Sequence, residues 1–164
     1  MLKIFFIESA IGCALFSIII LLMCLQRPEN FISSWPPAVK RRIMDEHILE
    51  VKDTRMTKKE VIRKVVGCLI FVVLIGLVFK YVNKIDTFLM AVLVSYGIWF
   101  IIDWWDAFVI DMLACKRKKM RIKGTESWDK EYDNLPFHIK ESFIGMILGI
   151  PFSLLVGLFV VLIS

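Results

Sequence analysis

The chain has 164 residues, enough for one domain of ordinary size. Hydrophobic residues make up 58% of it and its mean hydropathy is +0.70, well above the roughly 45–50% apolar content of soluble domains. This composition excludes an ordinary soluble domain. The net charge of +5 would suit nucleic-acid binding, but the basic residues flank apolar blocks. Membrane topology explains them, and we expect no nucleic-acid partner.

Apolar residues are concentrated in four blocks, each near the length that crosses a bilayer. A hydrocarbon core about 30 Å thick needs about 20 helical residues. The first block lacks the short apolar core and the cleavage site of a signal peptide, so we expect it to be retained. No block alternates with the period of a barrel strand. The sequence predicts an all-α, four-helix transmembrane bundle, a single polytopic domain over residues 1–164 with spans at about 4–25, 65–82, 87–110 and 142–163.

The distribution of lysine and arginine predicts the orientation in the membrane. Ten of these residues lie in residues 26–64 and eight in residues 116–141, whereas the link between the second and third blocks holds two and the N-terminus holds one. The two basic segments should therefore be cytoplasmic, the second as a polar loop, and both termini should lie outside. Basic residues at the inner face attract anionic headgroups, so membrane lipids are expected partners.

The first cytoplasmic segment, "SSWPPAVKRRIMDEHILEV", predicts an amphipathic helix rather than a linker. Ser34 is placed to cap it and the prolines suit its first turn. Its apolar stripe consists of Val39, Ile43, Met44 and Ile48. Such a helix either lies on the inner leaflet or packs against another part of the same protein, and both alternatives stay open. On the leaflet, the flanking Arg41 and Arg42 would contact headgroups.

A second helix start follows in "TRMTKKEVIRKVV". Thr57 and Glu60 have the spacing of a capping box, in which each side chain bonds the other residue's backbone N–H. No helix breaker separates this start from the second apolar block. One long helix from about Lys58 to Val82 is therefore predicted.

Three aspartates interrupt the end of the third block, "FIIDWWDAFVIDML", at positions 103, 106 and 111. Neighbouring tryptophans mark the depth of the headgroups, so these carboxylates should lie near the inner interface, where a charge costs less than at the bilayer centre. None of the helical neighbours three or four residues away is basic, so ion pairs within the helix are excluded. Their partners must come from water, a metal ion or other helix ends, with Arg27, Arg63 and Lys64 as candidates.

The aspartates have two interpretations. In the first, they bind neighbouring basic side chains and fix the packing of the helices. In the second, they form an acidic site with residues of the following loop, which could provide general acid and base groups or hold a divalent cation against a lipid phosphate. The expected catalytic residues are Asp103, Asp106, Glu126 and His138, of which Asp103 and Asp106 would bind the cation. The expected ligand-binding residues are Asp111, Tyr132, Arg41, Arg42, Lys116 and Arg117.

The fourth block carries four small residues at successive spacings of four, which let another helix approach closely. They are Gly145, Gly149, Ser153 and Gly157. We call them the small-residue ridge. It is expected to be a helix interface, serving either an internal neighbour or a second copy in a homo-oligomer or another membrane protein.

The segment from Asp103 to Gly145 (DWWDAFVID…KGTES…EYDN…FHIKESFIG), together with "SWPPAV", resembles small multi-pass bacterial membrane proteins without an assigned function. The resemblance covers about half of the chain and implies a setting in the bacterial inner membrane. The favoured function is an enzyme or binding protein for a lipid or amphiphile. The alternatives are a non-enzymatic partner or assembly subunit that uses the small-residue ridge and, less favoured, a small transporter.

Overall fold

The computed structural model describes most of the chain, namely residues 2–26, 29, 32, 35–48 and 58–164. Three predictions lie outside these residues: the cap at Ser34, the capping box that begins at Thr57, and Arg27 as an ion-pair partner. Every regular element in the described residues is helical, which confirms the all-α class.

Seven α-helices make up the described chain: α1 (Leu2–Gln26), α2 (Pro37–Asp45), α3 (Lys58–Leu77), α4 (Phe88–Trp105), α5 (Met112–Lys116), α6 (Asp129–Tyr132) and α7 (Leu135–Leu162). Two π-helical segments extend them. Val78–Val82 continues α3, and Asp106–Asp111 joins α4 to α5. The long helix expected from about Lys58 to Val82 is therefore confirmed, with a wider last turn than an α-helix has.

Four of these stretches are long and apolar enough to cross a membrane: Leu2–Gln26, Val61–Val82, Phe88–Asp111 and Asp129–Leu162. Their number and order are those predicted from the apolar blocks. The last begins well before the apolar block does, because it includes α6 and the polar first turns of α7. Pro136 fits there, since a helix's first turn needs no N–H donor at that position.

The chain forms two compact units, and the single polytopic domain stays a prediction. Unit 1 comprises Met1–Gly12, Arg55–Asp103 and Ile144–Ser164, and unit 2 comprises Cys13–Thr54 and Trp104–Phe143. Each has its own apolar core. That of unit 1 contains Val72, Phe79, Ile85, Ala91, Val156 and Val160.

In unit 1, the small-residue ridge of α7 lies against α4 of the same chain. A Cβ at Gly145 would overlap the Asp103 carboxylate, and one at Gly149 would lie 2.5 Å from Trp99 Cδ1. Ser153 is fully buried, and a Cβ at Gly157 would lie 2.5 Å from a methyl group of Val92. The small-residue ridge therefore contacts an internal neighbour, α4. The indole of Trp99 also donates a 3.0 Å hydrogen bond to the Gly145 carbonyl.

In unit 2, the apolar stripe of α2 is covered by protein. Val39 and Ile43 have no exposed surface and pack in a cluster with Cys24, Trp35, Met120, Ile122, Trp128 and Tyr132. The rings of Trp35 and Tyr132 meet edge to face with centroids 4.9 Å apart. Of the two alternatives for this helix, packing on the same protein is confirmed for Val39 and Ile43, whereas Met44 of the stripe is 45% exposed.

Candidate functional site

The strongest polar contact among the predicted site residues joins α7 to the end of the π-helical segment. His138 Nδ1 lies 2.7 Å from Asp111 Oδ2, and His138 is only 3% exposed. An ionised carboxylate can only accept a hydrogen bond, so the Nδ1–H of the imidazole donates to it. Asp111 thereby fixes the orientation of the imidazole ring.

The π-helical segment Asp106–Asp111 positions this carboxylate. Its backbone hydrogen bonds join residue i to residue i+5, so each closed turn holds one residue more than an α-helical turn. Side chains beyond the segment are therefore rotated from their α-helical directions. The search for ion-pair partners of Asp111 in the sequence assumed α-helical spacing, and that spacing does not hold in this segment. Single π-helical turns of this kind occur frequently at functional sites.

A cavity of about 170 Å³ opens beside this pair within unit 2. Its lining residues are Met112, Lys116, Arg121, Asp129, Tyr132, Asp133, Asn134, Leu135 and His138. Of the residues expected to bind a ligand or act on it, the cavity brings together Lys116, Tyr132 and His138, with Asp111 behind the imidazole. The volume is below the roughly 300–1,000 Å³ of sites for drug-sized ligands, so it suits a headgroup-sized molecule.

The cavity wall carries charges of both signs. Arg121, 5% exposed, donates from Nη1 to Asp129 Oδ1 at 2.6 Å and to the Glu126 carbonyl at 2.8 Å. Its guanidinium carbon also lies 4.7 Å from the centre of the Tyr132 ring. Lys116 and Asp133 are exposed, and neither takes part in the ion pairs found among the described residues. One cation and one carboxylate are therefore available to a bound molecule.

The hydroxyl of Tyr132 is used inside the fold. Thr125 Oγ1 donates to the Ile122 carbonyl at 2.7 Å, so its single proton is committed. The 2.7 Å contact between Thr125 Oγ1 and the Tyr132 hydroxyl then requires Tyr132 to donate. The Ile122 N–H in turn donates to the Tyr132 oxygen at 3.4 Å. Tyr132 therefore presents its ring, rather than a spare hydroxyl, to the cavity.

The other expected catalytic residues are not among those that line this cavity. Asp103 belongs to unit 1, where its carboxylate lies against Gly145. Asp106 is half-buried at the start of the π-helical segment in unit 2. Glu126 is exposed and accepts a 2.9 Å hydrogen bond from the Gly124 N–H. Hydrogen bonds from its own backbone N–H and from Gly124 hold the pKa of Glu126 below its ordinary value.

Arg41 and Arg42 of α2 lie in different surroundings. Arg41 is exposed, whereas Arg42 binds Glu46 Oε1 at 2.7 Å and Glu131 Oε1 at 2.5 Å. The Arg42 guanidinium also lies 4.3 Å from the Trp128 ring centre. Hydrogen bonds to Glu46 and Glu131 raise the pKa of Arg42 above its ordinary value. Arg42 therefore holds α2 to α6, and its availability to a headgroup stays a prediction, as does that of the exposed Arg117.

A divalent cation gains no support from the arrangement of side chains. In the part of the chain that the structure describes, no three histidine, cysteine, aspartate or glutamate side chains come together as metal ligands. The expected ligands Asp103 and Asp106 belong to unit 1 and unit 2, respectively. A metal site on these residues stays a prediction.

Six of the nine residues that line the cavity were not singled out from the sequence: Met112, Arg121, Asp129, Asp133, Asn134 and Leu135. Arg121 was counted only within a basic cluster, and nothing in its spacing distinguishes it from the lysines beside it. Asp133 and Asn134 stand in a turn before α7. Asn134 had a readable signal, since an asparagine before a helical proline is a good cap, and its Oδ1 accepts the Phe137 N–H at 3.1 Å.

Comparisons of the chain with models of protein families, with curated proteins and with solved structures gave no match. The resemblance to bacterial membrane proteins therefore rests only on the sequence motifs quoted above. Function has to be inferred from the geometry of the two units.

Proposed function

We propose that the chain is an integral membrane protein of the bacterial inner membrane, with both termini outside and the polar segments of unit 2 at the cytoplasmic face. Four helices of spanning length support this, as does the placement of lysine and arginine. Large apolar side chains such as Leu89, Ile147 and Leu148 are more than half exposed, a surface that suits a lipid environment.

We further propose that unit 2 binds the headgroup of a phospholipid or a similar amphiphile in the cavity beside His138. The single observation that carries this is the mixed lining, with Lys116 and Asp133 both outside the ion pairs of the described residues. Lys116 would bind the phosphate, and Asp133 would bind an ammonium group. Phosphate oxygens accept charge-assisted hydrogen bonds, which are the stronger kind. A zwitterionic headgroup with a free amine matches both charges.

The Asp111–His138 pair gives this proposal an enzymatic form. A buried imidazole held by a carboxylate can take or give a proton at Nε2 when a reacting group lies within hydrogen-bond reach. Whether the bound headgroup is only held or also converted depends on that contact. The alternative role as an assembly subunit has less support, because α4 occupies the small-residue ridge that a partner would need.

The test uses purified protein in a neutral detergent and three short-chain lipids: phosphatidylethanolamine, phosphatidylglycerol and phosphatidylcholine. The unfolding temperature should rise most with phosphatidylethanolamine, because a ligand stabilises the state that binds it. Lys116→Gln should reduce the affinity for phosphatidylethanolamine about 10-fold, equivalent to about 1.4 kcal/mol. Asp133→Asn should remove the preference for phosphatidylethanolamine over phosphatidylglycerol.

The matched control is Lys123→Gln, which removes an exposed positive charge of the same loop that does not line the cavity. It should leave the affinity unchanged. Equal losses for Lys116→Gln and Lys123→Gln would mean that the lipid responds to the net charge of the surface. In that case the cavity would not be the binding site.

A further inference from the structure

Glu8 is the single acidic residue within α1, and the cavity beside His138 does not involve it. It lies six residues into the helix, about 9 Å from Leu2 along the axis. An ionisable side chain inside a stretch of spanning length is costly and is usually retained for a function. The question is what compensates its charge.

The partner of Glu8 within unit 1 is an amide. Asn83 Nδ2 donates to both carboxylate oxygens of Glu8, at 2.9 Å and 3.0 Å. Asn83 is held at the end of the π-helical segment Val78–Val82, where its backbone N–H donates to the Val78 carbonyl at 3.1 Å. The Asn83 amide therefore holds the Glu8 carboxyl group through both of its oxygens.

This pairing leaves a second acceptor unused. Asn83 Oδ1 is buried and has no hydrogen-bond partner within the described part of the chain. A turned amide would lose both hydrogen bonds from Nδ2 to Glu8. The site therefore contains carboxylate oxygens that accept hydrogen bonds and an amide oxygen that has no hydrogen-bond donor among the described residues.

Both residues line a cavity of about 100 Å³. Its other walls are Ile4, Phe5, Ile85 and Val94, so Glu8 is the charged member of the lining. A water molecule occupies about 30 Å³ of liquid, so the space exceeds one water. The ring of Phe5 adds a face that attracts cations when it is turned toward them.

No positive side chain neutralises Glu8 among the described residues. Lys80, which precedes Asn83 in the chain, is paired with Asp86, with Nζ 2.6 Å from Oδ1. Glu8 takes part in none of the ion pairs found there. Glu8 is half-buried, and a carboxylate partly withdrawn from water without a counter-charge is unfavourable, because one amide donor does not replace that charge.

We propose that Glu8 and Asn83 form a binding site for a small monovalent cation. Glu8 supplies the negative charge, Asn83 Oδ1 supplies a neutral oxygen ligand, and the cavity holds the ion with the waters that complete its coordination. Hard cations such as Na⁺ and small ammonium ions share this chemistry. The site does not depend on the lipid cavity of unit 2, so either proposal can fail alone.

The test measures the unfolding temperature of the full chain in neutral detergent at constant ionic strength. The chloride salts of sodium, potassium, ammonium and methylammonium are compared with that of N-methyl-D-glucamine, a cation too large for the cavity. At least one small cation should raise the unfolding temperature by about 2–4 °C, with a saturable concentration dependence. The identity of the most effective salt separates a metal ion from an ammonium ion.

Two variants decide whether Glu8 is responsible. Glu8→Gln keeps the size and a hydrogen bond to Asn83 but removes the charge, and it should abolish the shift produced by the small cation. Asp86→Asn removes the neighbouring exposed carboxylate and should retain the shift. Equal unfolding temperatures of the wild type in all salts, or a shift retained by Glu8→Gln, would overturn the proposal and leave Glu8–Asn83 as a structural hydrogen bond.

Discussion

His138 Nδ1 and Asp111 Oδ2 lie 2.7 Å apart in unit 2, and this contact joins the first turn of α7 to the π-helical segment. The imidazole is 3% exposed, so its N–H has no water to replace a lost partner. We expect Asp111→Ala to lower the free energy of unfolding by about 1–3 kcal/mol, the cost of an unpaired buried donor. Thermal unfolding followed by tryptophan fluorescence measures this.

The control for that prediction is His138→Ala in the Asp111→Ala background. With the donor also removed, the loss caused by Asp111→Ala should shrink, giving a coupling energy between the two positions. A coupling energy near zero would mean that the pair contributes nothing to stability. The 2.7 Å geometry would then matter only for a ligand.

Gly149 is a position where α7 cannot carry a larger side chain without disturbing α4. A Cβ there would lie 2.5 Å from Trp99 Cδ1 and 2.7 Å from Trp99 Nε1. The indole cannot move away without losing its hydrogen bond to the Gly145 carbonyl. We expect Gly149→Leu to destabilise the protein by about 1–3 kcal/mol, as other overpacked interfaces do.

The matched control is Gly67→Ala, because a Cβ at Gly67 meets no atom within 4 Å. Alanine is favoured over glycine in a helix interior by roughly 0.5–1 kcal/mol, so this variant should be neutral or slightly more stable. Unfolding temperatures of both variants in neutral detergent test the prediction. A Gly149→Leu protein as stable as the wild type would show that the ridge does not need α4 so close.

The four long helices were predictable because their signal is local. Each apolar block has spanning length on its own, and each small residue of the ridge repeats every four positions on one helix face. The spacing at Gly149 therefore indicated a close helix contact. It could not name α4 as the neighbour, because that choice depends on how distant segments pack.

The candidate site was less predictable because its geometry departs from regular structure. The sequence interpretation assumed α-helical spacing around Asp111, but this residue ends a π-helical segment. No pattern of residues predicts such a turn. Its pairing with His138 spans 27 positions. Arg121 was hidden in a basic cluster, where burial distinguishes it and composition does not. Glu8 could be identified from the sequence as an isolated acidic residue in an apolar block. Its partner Asn83 could not, because an uncharged amide in a loop has no distinguishing pattern.

Tyr132 donates its hydroxyl proton to Thr125 Oγ1 in a fully buried network of unit 2. Tyr132→Phe removes the donor to Thr125 and the acceptor for the Ile122 N–H. We expect a loss of about 1–3 kcal/mol in the free energy of unfolding, because the backbone N–H stays buried without a partner. The ring contact with Trp35 is preserved in this variant, so the loss measures the hydroxyl alone.

Thr125→Val tests the same network from its other side. The double variant with Tyr132→Phe should be less destabilised than the sum of the single changes, because the two hydroxyls share one hydrogen bond. Strict additivity would contradict the assignment of the proton between them. Unfolding temperatures of the four proteins complete the cycle.

The Glu126 carboxylate provides a pH-dependent contribution with a definite sign. Backbone hydrogen bonds from its own N–H and from Gly124 hold its folded pKa below the ordinary value. A carboxyl group with a depressed folded pKa stabilises the protein at pH values above the unfolded pKa of about 4.3. This contribution is lost as the pH falls through the lower, folded pKa. Glu126→Gln should therefore be less stable than the wild type at neutral pH.

The size of this effect should be small, since the carboxylate is exposed and solvent screens it. The difference in unfolding temperature between the wild type and Glu126→Gln should be constant from neutral pH down to about pH 5 and should then decline. A difference that grows on acidification would mean that the Gly124 N–H does not favour the ionised form of Glu126.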